Sequence, residues 1–233
     1  MSRGAAIAAG CLLWLAAACP GAQAARSFDR FEKLSAKKKE KLVWDLHESQ
    51  QFGKPEHKPI CRDLLAAQGS YAHANGPAWT LECIDLAEKH EWTDLKPMIE
   101  AVYAHPRDAW LYERSFRYIR ASAGKLAPDD FLQAVKTIET SAAYRSSSAD
   151  AVVNDAKARL RREPDKELAM VYAFRLALSS PGKGGADRAR NAGVELLKAL
   201  DPLRVRPRLR QFQKDFDPAY QPDLSAIAAE LRP

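Results

Sequence analysis

The chain has 233 residues, of which 46% are hydrophobic and 28% charged, with a net charge of +6. That length and apolar share suit one or two domains of ordinary size with a substantial core. A basic balance this small favours anionic surfaces but fits a solvated exterior equally well, so charge alone excludes little and names no partner.

Met1, Ser2 and Arg3 form a basic start, and the uncharged stretch from Ala5 to Ala18 carries Ile7, Leu12, Leu13, Trp14 and Leu15. Pro20 and Gly21 break it, and Ala22-Gln23-Ala24 offers the small residues a signal peptidase needs. The pattern predicts a secretory signal peptide over residues 1–24 and a mature domain over residues 25–233, periplasmic or secreted. The apolar run falls short of the ~20 residues that span a bilayer, so no transmembrane segment is expected after cleavage. Cys19, behind Leu15-Ala16-Ala17-Ala18, leaves a lipidated N-terminus as the alternative, although its branched aliphatic lies one residue too far upstream. Export argues against nucleic acid as a partner. With Cys11 and Cys19 in the leader, only Cys61 and Cys83 remain, and two thiols in an oxidising compartment predict one disulfide.

The rest is rich in Ala, Leu, Lys, Arg and Glu, has no alternating β-branched run, and reads as helix throughout. Ser35 caps a helix carrying Leu42, Val43 and Leu46, and Pro77 opens one from Trp79 to His90. Thr93 precedes a helix over Leu95 to His105, Asp108 one over Ala109 to Ala121, and Pro128-Asp129-Asp130 one over Phe131 to Ala142. Further helices are expected at Ala149 to Arg161, Lys166 to Leu178, Ala186 to Leu200 and Leu203 to Phe216, with a soft boundary in the Gly-rich stretch 181–185. Apolar spacings of three and four give them an inward face. Pairing the Trp79 helix with the Leu95 helix, and so on, makes equivalent helices recur every ~31 to 40 residues, the step of an α-solenoid. The expected class is all-α, with antiparallel helix pairs stacked as a short solenoid and an irregular helical bundle as the alternative.

The run Leu95-Lys96-Pro97-Met98-Ile99-Glu100-Ala101-Val102-Tyr103, the tight turn His105-Pro106-Arg107, and Asp108 followed six residues later by Arg114 resemble one unit of a HEAT repeat over residues 95–121. The resemblance implies that Asp108 and Arg114 help join neighbouring units. Glu113 and Arg117 depart from the pattern, standing where a small aliphatic and an alanine are usual.

No G-x-S-x-G elbow, phosphate loop, H-E-x-x-H or dinucleotide turn occurs, so no catalytic residue, metal site or cofactor is assigned. His57, Cys61, Cys83 and His90 are four metal-capable side chains, with His57 and Cys61 one helical turn apart; their spacing follows no zinc pattern, and the disulfide takes precedence. Asp129 with Asp130 reads as a pair of helix-start acids, and Glu82 with Asp85 as a solvated pair on a helix surface. Two segments suit partner contact. Arg204, Arg206, Arg208 and Arg210 crowd four guanidiniums around Pro207, a grip for an acidic partner. Trp110, Tyr112, Phe116 and Tyr118 are too many for one inward stripe, so some are expected on a face open to a partner.

The function expected is therefore a non-enzymatic exported module that binds a protein partner in the cell envelope, of undetermined oligomeric state. An immunity protein against an envelope-targeting toxin is a narrower form of this reading. A cell-wall hydrolase with an acid/base carboxylate pair is the rival class.

Overall fold

Helix starts follow from local chemistry. Asp108 Oδ1 accepts from Leu111 N at 2.8 Å and Asp165 Oδ1 from Leu168 N at 3.1 Å, each satisfying an N–H that the first turn leaves unpaired. Pro59, Pro77, Pro97, Pro202 and Pro222 open other helices, at positions where no N–H is needed. The computed structural model describes Phe28 and residues 30–68, 75–125, 129–143, 147–179 and 186–231, without the side chains of Asp129, Ala143, Ser147, Ala186 and Asp187. The expected leader over residues 1–24, its alternative at Cys19 and the boundary at 181–185 lie outside the described residues.

Among the described residues every regular element is helical, and the chain is all-α. The α-helices are α1 (Ala36–Glu48), α2 (Lys58–Ala67), α3 (Gly76–Lys89), α4 (Lys96–Ala104), α5 (Ala109–Ser122), α6 (Asp129–Ala143), α7 (Ser147–Arg162), α8 (Lys166–Ala177), α9 (Ala186–Ala199), α10 (Pro202–Asp215) and α11 (Gln221–Glu230). The expected ranges hold to within a turn at each end. None of the described helices is long and apolar enough to cross a membrane.

Consecutive helices pack as α2/α3, α4/α5, α6/α7, α8/α9 and α10/α11. The expectation that α3 pairs with α4 and α5 with α6 is off by one helix. The Cys61–Cys83 link clamps α2 against α3. After α3, Glu91 with φ of 54° and the 3-10 turn Thr93–Leu95 redirect the chain, so that α4 lies against α2 and α5 against α3.

The pairs also do not stack in chain order. Beyond α4 and α3, the helix packed against α5 is α8 rather than α6, and α6/α7 packs onto α8/α9. Composition explains the inversion: every residue from Leu168 to Ala177 is buried, so α8 has no polar side to offer water and must be surrounded. α9 approaches it so closely that a Cβ on Gly193 would lie 2.4 Å from Ala177 N and 2.6 Å from Ala173 O, a crossing that only glycine fits.

Two apolar cores result. Phe31, Ile60, Leu64, Ile84 and Ile99 anchor the first, and α6–α11 with Tyr112 and Phe116 build the second. α5 belongs to both, sending Leu111 and Tyr118 into the first and Ala109, Tyr112 and Phe116 into the second.

Candidate functional site

Cys61 and Cys83 are fully buried, with Sγ atoms 2.10 Å and Cα atoms 5.1 Å apart, the geometry of a disulfide. The two histidines near them hold a turn. His57 Nδ1 accepts from Gly53 N at 3.1 Å and Lys54 N at 3.2 Å, and His90 Nε2 lies 3.0 Å from Gly53 O. Burial holds the His57 imidazole below its ordinary value, outweighing Glu56; this keeps Nδ1 free to accept.

α5 corrects the expected aromatic face. Tyr112 is 0% exposed and Phe116 and Tyr118 5%, because the helix runs between two cores and is covered on both sides. The excess of aromatics over one stripe fills a second core rather than facing a partner. Trp110 alone stays partly exposed, and the Arg175 guanidinium covers its ring at 4.2 Å from the centroid.

Arg175 is the hub of a buried network that sequence reasoning missed. From α8 its Nη1 reaches Glu113 Oε2 of α5 at 3.0 Å, while Nε and Nη2 donate to the two carboxylate oxygens of Glu139 on α6 at 3.1 and 3.2 Å. Arg117 Nε stands 3.7 Å from Glu113 Oε1. Burial nevertheless pushes the Glu113 carboxyl up, against the pull of Arg175, Arg117 and Arg114, since Glu113 is 1% exposed. Of the two residues that depart from the HEAT pattern, Glu113 meets α8 through Arg175, and Arg117 stands beside Glu113 on α5. Arg114 pairs with Asp85 of α3 and links α5 to the preceding helix pair, whereas Asp108 caps its own helix. Glu82 is half-buried, its carboxyl raised by burial and by Asp85, and lies 3.5 Å from His47 Nε2.

A groove of about 270 Å³ opens where Asp108 and Trp110 face Asp217 and Tyr220. It holds two carboxylates, but both serve as caps: Asp108 on Leu111 N, and Asp217 Oδ1 on Ala219 N at 2.9 Å. Burial raises the Asp108 carboxyl and Asp217 adds to the rise, while the bonds from Leu111 and Trp110 oppose it. Each carboxylate thus has one oxygen committed to the start of its own helix.

The arginine segment folds as α10, which runs unbroken through Pro207. At about 100° per residue, steps of two send successive side chains to opposite sides. Val205, Leu209 and Phe212 face the core. Arg208 turns in on the flank, its guanidinium 4.7 Å from the Tyr103 ring centroid and 5.5 Å from that of Tyr112, and its Nη1 donates to Gln211 Oε1 at 2.8 Å. Tyr103 donates to Glu167 Oε1 at 2.6 Å, and burial with Glu167 pushes its phenol up to about 12. Arg204 lies on that flank, exposed. Arg206, Arg210 and Lys214 form one outward stripe that begins with Leu203, which is 82% exposed. Beside it a groove of about 290 Å³ is lined by Leu197, Leu200, Pro202, Val205 and Leu231 together with Lys198, Arg206 and Glu230.

No protein-family model, curated protein or solved structure matches the chain. Its surface chemistry therefore carries the functional argument alone. The α10 stripe was readable in the sequence as cations at i, i+4 and i+8 from Arg206, once the segment is laid on a helix rather than taken as one crowded patch. Nothing in the sequence marked the groove, because its walls come from α9, α10 and the end of α11.

Proposed function

We propose that this chain is a non-enzymatic, exported helical module that binds a protein partner in the cell envelope, with the outward face of α10 as its contact surface. Leu203 carries the reading. A large aliphatic side chain, 82% exposed on a folded helix, follows Pro202 of an apolar groove and stands among outward cations, which supplies apolar and cationic chemistry on one protein surface. The leader pattern over residues 1–24 and the buried disulfide suit the oxidising side of a membrane. The link from Arg114 to Asp85 supports reading residues 95–121 as a HEAT-like unit within the array. Trp110, beside the second groove, offers a further contact.

The test is a pull-down from envelope extract with residues 25–233, comparing the wild type with Leu203→Asp after circular dichroism has shown both to be folded. The wild type is expected to retain a protein that Leu203→Asp releases, since truncating a buried interface anchor costs about 2 kcal/mol or more. A wild-type chain that captures nothing while degrading wall material would refute the reading in favour of a hydrolase.

A further inference from the structure

Resting on the module reading, we infer that the partner presents an acidic amphipathic helix to α10, with carboxylates flanking one aliphatic side chain. Arg206 joins the two halves of the argument. It belongs to the outward stripe with Leu203, Arg210 and Lys214, and it also lines the apolar groove with Leu197, Leu200 and Val205. An occupant therefore meets a guanidinium and apolar walls within the reach of one side chain. Arg206, Arg210 and Lys214 lie one helical turn apart, so carboxylates at i, i+4 and i+8 of a facing helix match them. Glu230, the acid in the groove, is already balanced by Arg190 at 3.0 Å and Lys198 at 3.6 Å, so it does not offset the stripe.

Other occupants fit less well. A polyanionic polymer supplies charge but nothing for the groove or Leu203. A groove of about 290 Å³ stands at the foot of the range of small-molecule pockets, about 300–1,000 Å³, and suits a single side chain. An anionic bilayer would receive one leucine, because Val205, Leu209 and Phe212 of the same helix are buried, whereas an interfacial helix needs a whole apolar face.

The experiment places p-benzoylphenylalanine at position 203 of the full chain, cross-links in the cell envelope, and maps the adduct by mass spectrometry. It is repeated in the Arg206→Glu/Arg210→Glu background and in Lys37→Glu/Lys38→Glu, which alters the net charge equally on exposed residues of α1. The expected adduct is a protein peptide rich in Asp and Glu. Its yield should fall about tenfold or more in the α10 variant, stay level in the α1 variant and weaken with salt. An adduct with lipid, an adduct with a peptide lacking acids, or equal losses in both variants overturns the inference. A partner retained in the pull-down but cross-linked independently of Arg206 and Arg210 overturns the acidic helix and leaves the module reading standing. Absence of any cross-link or capture removes both.

Discussion

Replacing Arg175 by methionine tests the account of how α8 is held. The substitution keeps much of the side-chain volume but removes the partner 3.0 Å from Glu113 Oε2, leaving Arg117, a third exposed and 3.7 Å from the other oxygen, as the nearest countercharge. Glu113 is 1% exposed and cannot recover water, so the loss is that of a broken buried pair, about 3–5 kcal/mol. Glu139, at 23% exposure, rehydrates and adds little, while the lost stacking on Trp110 contributes about 0.5–2 kcal/mol. Acid should relieve the defect. The Glu113 carboxyl is already raised above 4.5 by burial, and loss of Arg175 raises it further. A group raised in the folded state has its stability in full below the unfolded value and loses it as pH rises through the folded one. The deficit of Arg175→Met relative to wild type, measured by urea unfolding, should therefore be largest at neutral pH and narrow as pH falls toward about 5. Glu113→Gln/Arg175→Met should be more stable than Arg175→Met at neutral pH, since it removes the stranded charge. A deficit under about 1 kcal/mol, or one independent of pH, would refute the reasoning.

Gly193→Ala should destabilise by about 1–3 kcal/mol or more in urea melts, although alanine favours helix elsewhere, because its Cβ would strike backbone atoms of Ala173 and Ala177 that cannot rotate away. Reducing the Cys61–Cys83 bridge, which closes a separation of 22 residues, should lower unfolding free energy by about 3 kcal/mol, and free-thiol titration of the unfolded, unreduced chain should find no thiol at these positions. His57 is held below 6.5 in the fold, so the stability it supplies is present above about 6.5 and is lost as pH falls through the folded value; His47, lowered by burial, acts in the same sense. His57→Leu should cost stability at pH 7.5 in thermal melts and lose less than the wild type on acidification.

What was legible in the sequence was what neighbours in the chain decide. Asp108, Asp165 and the first-turn prolines fix helix starts through contacts three or four residues away, and the two thiols outside the expected leader pair with each other. Pairing register was not legible, because it turns on where the chain goes after Glu91, a left-handed residue that is not glycine, and on which helix has no polar side. The second of these was written in the run Leu168 to Leu178, apolar except for Arg175. An arginine inside such a run demands a buried acid, and the acid is Glu113, the misfit to the HEAT resemblance. A charged residue that breaks a resemblance and a charged residue that interrupts an apolar helix explain each other when paired: Arg175 of α8 meets Glu113 of α5. By the same logic Arg208, which spoils the outward arginine patch, is the one that anchors α10 to Tyr103 and Tyr112, and it leaves Arg206, Arg210 and Lys214 for whatever lies outside.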